Sequence, residues 1–189
     1  FVIGIFTSVS LITVYAVGPT LQGYVRTINS LLGSPIVPAT SKLHGEHDEV
    51  SIKKLLFRGT RYSVAVFLPM VIIILFFLKP FITHWMGAGF EQSVWVATIL
   101  ISFWLFNGIT EVGASIIAGR GFIKVFLWTS LVNALLNLVL SIILIKILGI
   151  VGVALGTTLP MIFISFPWVL SIILKKVNVR FREFFTLSL

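Results

Sequence analysis

The chain has 189 residues, 58% of them hydrophobic and 11% charged, with a formal net charge of +8 and a mean hydropathy of +1.11. Soluble domains run at roughly 45–50% apolar and about 25% charged, so this balance points to an integral membrane protein. Long unbroken apolar runs exclude the alternating segments of an outer-membrane barrel and leave helices, and the lack of cysteine excludes disulfides, thiolate catalysis and cysteine metal sites.

The predicted fold is an all-α, polytopic transmembrane bundle, with a single membrane domain over 1–189. The chain begins Phe1-Val2-Ile3-Gly4, without Met and without a charged leader before a cleavable apolar segment. It reads as a fragment lacking its N-terminal part. Residues 1–8 read as the end of a truncated span, and 11–33 as the next span. Pro35 and Pro38 then forbid a regular helix across SPIVPATSK. Residues 41–60 form a polar connector in which Val50, Ile52, Leu55, Leu56 and Phe57, set against Lys53, Lys54 and Arg58, suit a short interfacial helix. A span over 61–78 kinks at Pro69 and ends at Lys79-Pro80, and Trp85 follows as an interfacial anchor.

Residues 94–118 span again before the turn Gly119-Arg120-Gly121. The stretch VNALLNLVLSIILIKILGIVGVALGTTLP, 132–160, is too apolar and too long for a soluble core helix. It predicts a transmembrane hairpin, with one helix over 125–145 and a second over 151–174 packed antiparallel on it. Gly149, Gly152 and Gly156 superficially suggest a dinucleotide loop, but no strand precedes them, and Gly152 with Gly156 reads as close helix packing. The tail, 175–189, is basic and aromatic. The total is about five complete spans and one partial one.

Basic residues predict the orientation. Lys42, Lys53, Lys54, Arg58 and Arg61 in the connector, Arg120 and Lys124 in the turn, and Lys175, Lys176, Arg180 and Arg182 in the tail make eleven of the 14. Alternating spans put these three regions on one side, leaving Lys79 and Lys146 for the other. The positive-inside bias makes the basic side cytoplasmic. These charges meet anionic membrane lipid, and no nucleic-acid role is expected.

The fourteenth basic residue, Arg26, lies inside a span, where an arginine costs about 2.5–3.5 kcal/mol unless it meets a cavity, a partner or a headgroup. Gln22, Arg26, Asn29 and Gly33 share one helical face. Asn107, Glu111 and Ser115 repeat the pattern, as do Asn133, Asn137 and Ser141. Lipid tails offer these groups no hydrogen bonds, so the three stripes are expected to line a shared interior, with Arg26 and Glu111 facing one cavity and pairing when it is empty. Plainer readings stand beside this one: Arg26 snorkels to headgroups, Glu111 is a neutral structural acid, and the asparagines are packing groups. His44, Glu46, His47 and Asp48 lack the spacing of a metal motif, and no nucleophile with a plausible partner set is present. No enzymatic activity, metal or cofactor is expected.

The runs TVYAVGPTLQGYVRTINSLLGSPIVPATSKL, KKLLFRGTRY before a span with a central proline, and IIAGRGFIKVFLWTSLVNALLNLVLSIILIKILGIVGVALGTTLP carry a likeness. Over nearly its whole length the chain resembles the C-terminal half of polysaccharide-biosynthesis flippases, within the multidrug, oligosaccharidyl-lipid and polysaccharide exporter superfamily. The Asn-x-x-x-Asn followed by Gly-x-x-Gly-x-Ala-x-Gly is its most specific part. The resemblance implies two six-helix bundles around a central cavity, of which this chain is most of the second and lacks the N-terminal bundle. It also implies alternating-access transport of a lipid-linked oligosaccharide across the cytoplasmic membrane, with Arg26 as the diphosphate contact and Glu111 as a site for proton coupling or for pairing with Arg26. The coupling ion would be a proton or sodium. A cation-coupled multidrug exporter and a peptidoglycan-precursor flippase stay open within the superfamily. Outside it, a non-transporting structural subunit and a membrane glycosyltransferase remain, although the latter needs a carboxylate pair near an outer loop, where Glu91 is the only acid.

Overall fold

The computed structural model describes residues 9–87 and 89–188, and every element in them is helical. The protein is an all-α bundle, and among the described residues 4 helices are long and apolar enough to cross a membrane: Glu49–Met86, Glu91–Gly119, Lys124–Leu148 and Ile150–Val177. It is a multi-pass membrane protein. The truncated span expected over 1–8 lies outside the described residues. Helix α1 (Val9–Gly33) occupies the place of the next expected span. Its 25 residues are long enough to cross, but Thr20, Gln22, Arg26, Thr27 and Asn29 make it more polar than the four others.

Two boundaries differ from expectation for the same reason. Helix α2 (Ile36–Gly45) runs straight through Pro38. Pro35 is its N-cap and Pro38 sits in its first turn, where no intrahelical N–H bond is lost. Helix α3 (Glu49–Met86) runs through both Pro69 and Pro80, so the interfacial helix, the span over 61–78 and the turn beyond Lys79 are one rod. Proline is tolerated inside such a helix because neighbouring helices and local adjustments satisfy the freed carbonyl. Gly59 does not break it either: a Cβ there would lie 2.9 Å from Val112 Cγ1, so the small residue lets α3 press on the helix carrying Val112. The 38 residues make a rod about 57 Å long.

Helices α4 (Glu91–Ser102) and α5 (Trp104–Gly119) return as one span with a local break at Phe103. Helix α6 (Lys124–Leu148) and helix α7 (Ile150–Pro160) form the expected hairpin about Gly149, whose φ of +60° suits glycine. Gly152 packs onto the Leu144 carbonyl, and a Cβ on Gly156 would stand 2.7 Å from the Ser141 nitrogen. The two glycines therefore set the closeness of this pair. A π-helical turn (Met161–Ser165) follows Pro160 and leads into α8 (Phe166–Val177), and the short α9 (Phe181–Ser188) ends the described chain.

Three apolar clusters hold these elements. Ile52, Leu56, Val112, Ile116, Ile173, Val177 and Phe184 tie the start of α3 to α5, α8 and α9. Val17, Val25, Phe67, Val71, Ala97, Ile101 and Trp104 bind α1 and the middle of α3 to α4 and α5. Val96, Leu100, Ile145, Ile150 and Val153 seat the hairpin turn on α4. The connector, the Arg120 turn and the tail consequently gather at one end. Ser41 Oγ donates to the Gly119 carbonyl at 2.9 Å, and Arg120 reaches both Glu49 and the Lys176 carbonyl. Between helices in lipid, order comes from close van der Waals packing and interhelical hydrogen bonds and not from removing apolar surface from water. Along α6 only Thr129, Ser141 and Ile145 are buried, leaving Leu131, Leu135, Val139 and Ile143 exposed as a face suited to lipid.

Candidate functional site

The polar stripe of α1 divides into a closed half and an open half. In the closed half Asn29, only 1% exposed, donates from Nδ2 to Glu111 Oε2 at 2.6 Å. Gly33 admits the facing groups: a Cβ there would lie 2.5 Å from Glu111 Oε1 and 2.6 Å from Ser115 Oγ. Asn29, Gly33, Glu111 and Ser115 thus form a tight polar contact between α1 and α5.

In the open half, Gln22, Arg26 and Asn107 line a trough of about 400 Å³ with Pro19, Gly23, Phe103, Trp104, Thr157 and Met161. Arg26 is exposed. Among the described residues no ion pair joins it to Glu111, so the expected pairing across an empty cavity is not the arrangement found. Asn29, one turn along the same face, is the residue that meets the carboxylate instead.

The third stripe turns mainly to a partner that its periodicity did not identify. Asn137 Nδ2 donates to Thr157 Oγ1 at 2.7 Å, and that hydroxyl donates onward to the Val153 carbonyl at 3.0 Å. Asn133 Nδ2 donates to Ser165 Oγ in the π turn, and Ser141 packs on Gly156. Both asparagines are thus held within the hairpin and π turn. They nevertheless border a second trough of about 580 Å³, with Ser130, Ala134, Leu138, Thr157 and Met161. Thr157 and Met161 belong to both troughs. The three stripes therefore border two adjoining hollows and not one closed interior.

Several residues escaped the sequence reading. Trp104 is 7% exposed, walls the first trough, stacks edge-on to Phe67 at 6.4 Å, and keeps an indole N–H without a partner. No periodicity marks a lone tryptophan as special. Thr157 and Met161 sit on either side of Pro160, and that proline inside an apolar run was the available signal, since π turns accompany functional sites. Arg120, counted only as a loop charge, is 6% exposed along its side chain; its Nη2 meets Glu49 Oε2 at 2.5 Å and its Nη1 donates to the Lys176 carbonyl at 2.9 Å. In the connector, Lys42 faces Glu46 at 4.0 Å, while Asp48 caps α3 by accepting the Ser51 N–H at 2.9 Å. Those hydrogen bonds from Ser51 hold the Asp48 carboxyl below its ordinary value.

Chemically, the first trough offers a cation, two side-chain amides and an aromatic-thioether wall, with no carboxylate lining it. That set can bind an anionic group and orient neutral polar groups beside it. No family model, curated protein or solved structure matches the chain.

Proposed function

We propose that the chain is part of a transporter that carries an undecaprenyl-diphosphate-linked oligosaccharide across the cytoplasmic membrane by alternating access. The observation that carries this reading is the exposed Arg26 guanidinium in a trough that contains no carboxylate. A helix-borne arginine at this depth is expensive unless something meets it, and its planar fork suits two phosphate oxygens at once. Gln22 and Asn107 would meet hydroxyl or amide groups next to the diphosphate, and the inclined rings of Phe103 and Trp104 give the trough an apolar border. Asn133 and Asn137, engaged within the hairpin and π turn, serve packing first and border the adjoining hollow.

The resemblance to the flippases supports the same substrate class and an N-terminal bundle closing the trough. The clustering of basic residues at one end supports a cytoplasmic connector and tail under the positive-inside bias. Glu111, an acid inside the bundle, is the site for a coupling proton in this reading. The test is export. In cells lacking their own flippase, Arg26→Ala should lower surface glycan about tenfold or more, the size expected for losing a charge-assisted contact, with membrane insertion unchanged. Normal glycan display in that variant would remove Arg26 from the substrate site.

A further inference from the structure

Of the 6 acidic residues in the chain, only Glu111 lies deep in a span. Glu46, Asp48 and Glu49 lie at the connector, Glu91 at the opposite end and Glu183 in the tail. Asn107, one turn before Glu111 on α5, lines the trough together with Arg26. In a low-dielectric interior opposite charges attract far more strongly than in water, and an arginine beside a carboxylate ordinarily forms a bidentate pair. Here that pair is absent. The carboxylate is engaged by Asn29 at 2.6 Å, and its second oxygen is tucked against Gly33.

We propose that Asn29 is a positioning residue which sequesters the Glu111 carboxylate on the α1–α5 contact, and so keeps the Arg26 guanidinium available to an anionic headgroup in the trough. Arg26 and Asn29 lie three residues apart on one helical face, so both compete for the same carboxylate. Asn29 also keeps a buried Oδ1 with no partner. An apolar residue at this site would avoid that cost, which argues against packing as its sole purpose. Gly33 completes the arrangement by leaving the space into which the carboxylate withdraws. The inference rests on the reading of the trough as an anion site, and its test separates the two.

The full chain, purified in detergent, is treated with phenylglyoxal, and modification of the peptide carrying Arg26 is followed by mass spectrometry. Asn29→Ala should release Glu111 onto Arg26 and slow modification about fivefold, the protection expected of a half-exposed ion pair. Adding Glu111→Gln should restore the wild-type rate, because an amide cannot pair in the same way. Asn29→Leu, which keeps the branched shape and heavy-atom count of asparagine, repeats the measurement without a cavity. Wild-type reactivity in both single variants, or slow reactivity that Glu111→Gln fails to relieve, overturns the proposal. Failure of both variants to fold, with or without Glu111→Gln, assigns Asn29 to packing and overturns it too. Binding of farnesyl diphosphate is measured on the same samples. If reactivity follows the expected pattern while no variant binds the diphosphate, the positioning role stands and the anion-site reading falls.

Discussion

Arg26 and Arg120 carry the same charge into opposite surroundings. Arg120 is folded under the bundle end, with Glu49 on one side and a helix-terminal carbonyl on the other; Arg26 opens onto a hollow. Composition and spacing cannot separate them, because the difference lies in residues 71 and 56 positions away along the chain. Asp48 is a residue whose role can be tested by pH. Its carboxyl is held below the ordinary value by Ser51, so ionised Asp48 adds to the stability of the α3 start above the unfolded carboxyl range, and the contribution is lost as pH falls through the lower folded value. Thermal melts of the wild type and Asp48→Ala between about pH 7 and pH 3 should differ at neutral pH, with the variant less stable, and converge at the acid end. Parallel curves would show that the cap is not what responds.

At the scale of elements, the α6–α7 hairpin was legible because glycine spacing and apolar length act locally. Gly156→Leu should separate the pair, since even a Cβ would stand 2.7 Å from the Ser141 nitrogen. Overpacking of this kind costs about 1–3 kcal/mol, which should appear as a lower melting temperature and as loss of protection from exchange along α6. Unchanged melting would mean that the helices are not held by that contact. The partners of Asn133 and Asn137 were not legible. Period alone tells which face of a helix is polar, whereas Thr157 and Ser165 become partners only once the chain has turned at Gly149 and widened after Pro160. The prolines at 38 and 80 misled for a related reason. Whether a proline breaks a helix depends on its position in the first turn and on the neighbours that satisfy the freed carbonyl.

For the whole molecule, alternation of spans together with the distribution of basic residues anticipated that connector, Arg120 turn and tail share one end, and their mutual contacts bear this out. The division of the polar stripes between two hollows was beyond such reasoning, because it depends on which helix lies beside which. A cysteine-free chain makes sidedness directly measurable. His44→Cys, Ile123→Cys and Thr186→Cys should react with a membrane-impermeant maleimide from one face, and His84→Cys and Ile147→Cys from the other. Mixed labelling within either group would break the topology. Helix α3 adds a mechanical consequence. It is one unbroken rod about 57 Å long, against an acyl layer about 30 Å thick. A change in bilayer thickness that makes it lean moves the Lys53-Lys54 turn and the Thr83-to-Trp85 turn together, so the width of the host membrane becomes a setting felt at both faces at once.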